Sequence, residues 1–217
     1  MLVLALDTST PAVTAGVATL AGADVTVLAE RVTLDARAHG ELITPHALEA
    51  LAEAGVTPRE IDAIVCGVGP GPFTGLRAGM ATAAALSHGL GVNAYPVCSL
   101  DAIAVGADVD EPFLVVTDAR RREVYWAAYD ALKSRIDGPH VQAPADFGTP
   151  VAAGDGARLY AERLAVRVIE PYYPPTAGLV AVAASHLLAK EAPGPLTPLY
   201  LRRPDAVEPS ARKRVTT

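Results

Sequence analysis

Between Val65 and Leu90 the chain reads VCGVGPGPFTGLRAGMATAAALSHGL: an apolar stretch enters a Gly/Pro-rich turn and leaves it as a helix with almost no charge on any face. With Phe73 near the helix start, Gly75, Gly79 and Ala83 recur every fourth residue and form one stripe with almost no side chain along it. Another backbone can approach such a stripe closely. Leu76, Met80, Ala84 and Leu90 add apolar contact on the flanks, and only Arg77 and His88 suit water. A helix apolar nearly all round lies deep in a core, or is buried twice, once against its own sheet and once against another chain. In a subdomain of about 100 residues a helix usually covers one side of a sheet and shows solvent its other side. The stripe therefore reads as a protein interface, and an internal core helix is the competing reading.

The turn ahead of the helix, GVGPGPFTGLR, sits where glycines often cradle phosphate. It has no Gly-Lys-Ser/Thr, no G-x-G-x-x-G fits residues 67 to 75, and Pro70 and Pro72 remove two N–H donors. The pattern speaks against an anion site there.

Around this segment the chain alternates strands and helices. MLVLALDT is a nearly continuous apolar run, as in a strand buried on both faces, and AVTAGVATL and ADVTVLAERVTL extend it into a three-strand meander. Residues 37–54 carry helical spacing at Leu42, Leu48 and Leu51, with Pro45 as an expected kink and Gly55 as a stop. EIDAIVCGVG is the next buried strand, and NAYPVCSLDAIAVGA a strand and helix. PFLVVTDA and VYWAAYDA are two strands around the polar RRRE turn, and 138–150 is a Pro/Gly-rich connection. TPVAAGDGARLYAERL follows as strand, loop and helix, then GLVAVAASHLLAKEAP as a last helix. The order implies two α/β subdomains, 1–106 and 107–205, followed by a flexible basic tail at 206–217.

At 217 residues, 51% hydrophobic and 19% charged, the chain can bury a sizeable core. No apolar run is long enough for a membrane span, and the N-terminus, with Asp7 and no basic residue before it, reads as a first strand and not as a signal peptide, so the expected location is the cytoplasm. Cys66 and Cys98 are too few and too far apart for a disulfide framework. A net charge of −6 argues against a surface that by itself grips nucleic acid, although DARRREV, LRRPD and SARKRVTT concentrate positive charge.

ALDTS, GVGPGPFTGLRAGMATAAAL, TDARRREVYWAAY and PLYLR, in this order and spacing, resemble the TsaB (YeaZ) family of bacterial proteins. The resemblance covers most of the chain. It implies a two-subdomain actin-like/Hsp70-like ATPase (ASKHA) fold with a ribonuclease H-like motif in each half. It also implies a non-catalytic role in making threonylcarbamoyladenosine beside the tRNA anticodon. The implied partners are the catalytic TsaD subunit, as a heterodimer, and the TsaE ATPase; the chain forms a homodimer when alone and reaches tRNA only through the complex. ATP and a metal ion are expected on the partner subunits, with no cofactor or metal on this chain.

The expected interface joins His39, Leu42, His46 and Leu48 from the first helix to Pro72, Phe73, Gly75, Leu76, Arg77, Gly79, Met80 and Ala83 from the second. A degenerate nucleotide cleft is expected at Asp7, Thr8 and Ser9, at Asp118, Arg120 and Glu123, and at Gly154, Asp155 and Gly156. Actin-like sites need glycine after the first-strand Asp and an Asp-x-Gly in the second half. Here DTSTPAVTAG has no Gly before residue 16, and Arg120 stands where that glycine would. Gly-Asp-Gly at 154–156 reads as a structural turn or a remnant adenosine loop. Asp7 and Ser9 read as a turn cap. Arg120 and Glu123 are either a hairpin salt bridge or groups that align a partner or a shared ligand. The His-x-x-x-His metal pair of TsaD falls on Ser99 and Ile103, which cannot hold an ion. His39 and His46 would lie about 10.5 Å apart along a straight helix, too far to share one. The alternatives are an actin-fold ATPase or kinase, and a peptidase, for which no G-x-S-x-G elbow or metal pair is present.

Overall fold

The computed structural model describes residues 1–202, so the expected tail at 206–217 lies outside the described residues. Strands β1 (Leu2–Asp7), β2 (Ala12–Ala21) and β3 (Asp24–Leu34) form the antiparallel meander, and β4 (Ala63–Gly67) and β5 (Asn93–Val97) add parallel to β1, giving the order β3-β2-β1-β4-β5. In the second half β6 (Phe113–Asp118), β7 (Val124–Tyr129) and β8 (Arg135–Gln142) form a second meander, and β9 (Val151–Ala153) and β10 (Arg167–Ile169) add parallel to β6. The second sheet, β8-β7-β6-β9-β10, repeats the strand order of the first. Two such ribonuclease H-like motifs in tandem make the actin-like/Hsp70-like fold.

The apolar run of β1 is explained by its two covered faces. Leu4 and Leu6 point toward helices α1 (His39–Glu53) and α2 (Phe73–Leu90), packing with Ile43, Ala47, Leu51, Leu76 and Ala83. Val3 and Ala5 point the other way, onto α6 (Thr176–Leu188), where Leu179, Val180 and Leu187 complete the layer. Thus α6, which the chain order placed in the second subdomain, packs on the first sheet. Helix α3 (Ser99–Gly106), from the first half, sends Leu100, Ile103 and Ala104 under the second sheet against Phe113, Val115 and Tyr129. The two lobes are interlocked by this exchange. Gly178 makes it possible, because a Cβ there would lie 2.1 Å from the Ala102 carbonyl oxygen.

Two strands depart from the sequence reading. β8 runs through the region read as a Pro/Gly-rich connection, and β10 was not expected. β8 is the edge strand beside β7, where Pro139 need not donate into a ladder, and its mostly exposed residues show no buried alternation. The expected loop and single helix after β9 are instead α4 (Asp155–Leu159) and α5 (Ala161–Leu164), adjoining at Tyr160. Among the described residues no helix is long and apolar enough to cross a membrane.

Candidate functional site

Helix α2 begins and ends where its sequence punctuates it, after Pro72 and before left-handed Gly91 (φ 70°). Its glycine stripe, however, faces inward. A Cβ on Gly75 would lie 2.9 Å from the Thr8 carbonyl oxygen and 3.1 Å from the His39 ring, and one on Gly79 would lie 2.4 Å from Thr8 Oγ1. Thr8 Oγ1 donates to the Gly75 carbonyl (2.8 Å) and accepts from the Gly79 amide (3.0 Å). The backbone that approaches the stripe is the chain's own, the turn that follows β1. This corrects the interface assignment of Gly75, Leu76, Gly79, Met80 and Ala83, all of which are buried within the monomer. It also corrects His39 and His46. His39 Nε2 bonds the Thr10 carbonyl (2.7 Å) and His46 Nε2 the Thr33 hydroxyl (2.8 Å), both rings being buried. Leu42 is half-buried against the same core.

The opposite face of α2 is open. Thr74, Arg77, Ala81, Ala84, Ala85 and His88 are exposed and recur at helical spacing, with half-buried Ala78 among them. It is a smooth, alanine-rich face with a single formal charge. At its N-terminal end Phe73, 42% exposed, stacks on Tyr200 with ring centroids 4.8 Å apart. The Arg77 guanidinium lies 3.6 Å from the Phe73 ring centre, and its Nε donates to the Tyr200 hydroxyl at 2.7 Å. Pro72 is half-buried, and on α1 Leu48 remains 53% exposed.

Tyr200 belongs to a strap that spans both lobes. The Leu199 amide donates to the Val68 carbonyl (2.8 Å), and Leu196 and Leu199 pack on the first core. Arg202 then reaches the second lobe, donating to the Ala119 carbonyl (3.2 Å) and pairing with Glu123. Arg120 pairs with Asp118 instead, 3.6 Å away. The two residues considered as a possible hairpin salt bridge thus have separate partners.

Asp7 is closed in. Oδ1 accepts from the Ser9 amide (2.8 Å) and hydroxyl (2.7 Å), and Oδ2 accepts from the Ser99 hydroxyl (2.5 Å). Burial pushes its pKa up even though these bonds pull down. Gly67 passes so near that a Cβ would lie 1.7 Å from Asp7 Oδ2, and Gly71 rests on the Ser9 carbonyl, 2.1 Å from its would-be Cβ. In the second lobe Gly154 and Gly156 lie against the Val116 and Thr117 backbone, with would-be Cβ contacts of 2.1 and 2.7 Å. Asp155 accepts the Asp118 amide at 3.3 Å. These glycines lie against the chain's own atoms, where no residue with a Cβ would fit. Ser99 and Ile103 also have internal roles, as Asp7's partner and as a core side chain. Among the described residues no group of three or more His, Cys, Asp or Glu could hold a metal ion.

Burial, with the nearby Asp118 charge adding to it, raises the Asp155 pKa from 3.8 to about 6. A raised carboxyl pKa favours the protonated fold, so this contribution is fully present below pH 4 and is lost as pH rises through 6. Asp155→Asn keeps an oxygen for the Asp118 amide and does not titrate. Relative to the parent it is expected to gain roughly 3 kcal/mol between pH 4 and pH 7.5, read from urea unfolding at both values.

Sequence reasoning did not foresee the pairing of Ser99 with Asp7, or the strap. PLYLR was visible as a motif, but nothing local in it shows what it crosses.

A family model described as "TsaD: tRNA N6-adenosine threonylcarbamoyltransferase" matches residues 26–192. A Mycobacterium tuberculosis protein described only as uncharacterized is 55% identical across 94% of this chain and 93% of its own length. The tRNA threonylcarbamoyladenosine biosynthesis protein TsaB of Haemophilus influenzae is 37% identical across 62% of this chain and 56% of its own length. Among solved structures, YeaZ from Pseudomonas aeruginosa superposes with a TM-score of 0.76 at 28% identity, covering 92% of this chain and 99% of that one.

Proposed function

The chain belongs to the TsaB/YeaZ family, and from that premise we propose that it is the assembly subunit of the tRNA threonylcarbamoyladenosine machinery, binding and activating a TsaD-type transferase without itself performing chemistry. The observation that carries this reading is the outer face of α2, alanine-rich and open to solvent along the helix. Small side chains let a partner helix approach closely over a long contact, and Arg77 is held at the N-terminal end of the face by Phe73 and Tyr200. Exposed Phe73 supplies a larger apolar group at its N-terminal end, and Leu48 is an exposed apolar residue on α1. When the transferase is absent, a second copy of this chain uses the same face and forms a homodimer.

The cleft supports a non-catalytic role. Asp7 has its oxygens committed to Ser9 and Ser99, and the glycines that would approach phosphates lie against the chain's own backbone. ATP and a metal ion belong, on this reading, to the transferase and to a TsaE-type ATPase that joins the pair, and tRNA is reached inside that complex in the cytoplasm. The test is reconstitution of threonylcarbamoyl transfer to a tRNA transcript from purified subunits. Omitting this chain is expected to reduce the rate at least tenfold, and an unchanged rate would end the proposal.

A further inference from the structure

The β6–β7 turn carries Arg120, Arg121 and Arg122 in succession, all exposed and all left-handed, with φ of 62°, 55° and 61°. The turn is tight: the Ala119 amide donates to the Glu123 carbonyl and the Glu123 amide to the Arg120 carbonyl, each at 3.0 Å. A left-handed conformation disfavours any residue with a Cβ, and glycine or asparagine would fit better. Three long side chains there hold conformational strain in one short loop. Backbone strain of this kind persists where the side chains it displays have a use.

The neighbourhood adds to the charge. Tyr160, half-buried at the junction of α4 and α5, packs on the cluster that holds Val116 of β6, Val124 of β7 and Leu164, the residue after Arg163, and so lies at the end of the sheet that carries the turn and within electrostatic reach of Arg122, Arg163 and Asp118. Arg120 is drawn to Asp118, whereas Arg122 and Arg163 make no ion pair among the described residues. On a chain of net charge −6 this leaves a local cluster of guanidiniums beside an aromatic ring. Guanidiniums recognise phosphate oxygens, a fan of them on one turn suits successive phosphates of a strand, and a neighbouring ring can stack on a base.

We propose that the arginine turn 120–122, with Arg163 and Tyr160, is a contact site for the phosphate backbone of RNA. The inference rests on the functional reading above for the identity of that RNA: the tRNA bound by the assembled complex.

The experiment is titration of a labelled, unmodified tRNA transcript, at salt concentrations from 50 to 200 mM, with the isolated chain and with its mixture with the transferase subunit. The variant is Arg122→Gly/Arg163→Gln, and Arg59→Gln, an exposed arginine on the other lobe, is the control. The double variant is expected to lose about tenfold in affinity, and the slope of log K against log salt to fall by about 1 to 2. Its melting temperature should be no lower than the parent's, because glycine relieves the left-handed position, and the control should match the parent. Equal affinity and slope in parent and double variant would overturn the site. So would failure of the parent to bind the transcript in either form, or loss confined to ATP binding, which would mark a site for free nucleotide phosphates. If the chain does not hold the transferase subunit at all, the assembly reading falls, and the isolated-chain titration still decides the arginine site.

Discussion

Gly67→Ala is expected to destabilise the fold by roughly 3–5 kcal/mol, a large part of the 5–15 kcal/mol typical of a domain. The added methyl would lie 1.7 Å from Asp7 Oδ2 and 2.7 Å from the Ser99 hydroxyl. Neither neighbour can give way cheaply. Asp7 is fully buried, and its oxygens hold Ser9 on one side and Ser99 on the other. Displacing the carboxylate breaks these bonds together and leaves a buried charge without partners, which costs several kcal/mol when it occurs. Ser99 also accepts from the Gly69 amide at 3.2 Å, so the disturbance reaches the loop before α2. Gly55→Ala is the reference: its φ is +69° with no atom within 4 Å of the new methyl, so only the conformational cost of about 1 kcal/mol applies. Urea unfolding of the two variants separates steric contact from backbone preference. Equal midpoints would show that Asp7 is not packed as described.

What the sequence revealed and what it hid divide along physical lines. The meander, both early helices and the parallel strands are legible because their signals are local: the continuous apolar run of β1, Phe73 opening α2, and Gly55 ending α1. The glycine stripe is equally plain as a stripe, but its covering is not. A run of small residues says that something comes close, not what; the group that does is Thr8, 67 residues before Gly75. His39 and His46 misled for the same reason, since the carbonyl and hydroxyl that hold them lie on the meander, at Thr10 and Thr33. β8 was hidden by Gly138 and Pro139, which an edge strand tolerates and a central one would not. The strap has no period to read, and Arg202 meets Ala119 across 83 residues of sequence. In the cleft, the missing glycine after Asp7 is visible in the sequence, but the bond of Asp7 to Ser99 spans 92 residues and leaves no local signal.

The inward stripe changes which substitution probes the partner face. Gly79→Arg would drive a side chain into Thr8, so a lost complex would report lost folding. Ala81 lies about 200° further around the helix, on the exposed face, and arginine is a good helix former there. Ala81→Arg is expected to fold with stability within about 0.5 kcal/mol of the parent. In a close helix-to-helix contact the same side chain must either bury an unpaired charge or hold the helices apart. Both outcomes cost several kcal/mol, and a loss of 3 kcal/mol already weakens binding by roughly 100-fold. If one face serves both assemblies, as proposed, homodimerisation of the isolated chain weakens in parallel.

The affinity of Ala81→Arg for the purified transferase subunit, measured by titration calorimetry beside the parent and after its fold is verified by circular dichroism, is the decisive quantity. A drop of roughly 100-fold or more with an unaltered melting curve is the expected result. Parent-like affinity in the folded variant would contradict the assignment of α2's outer face to the partner.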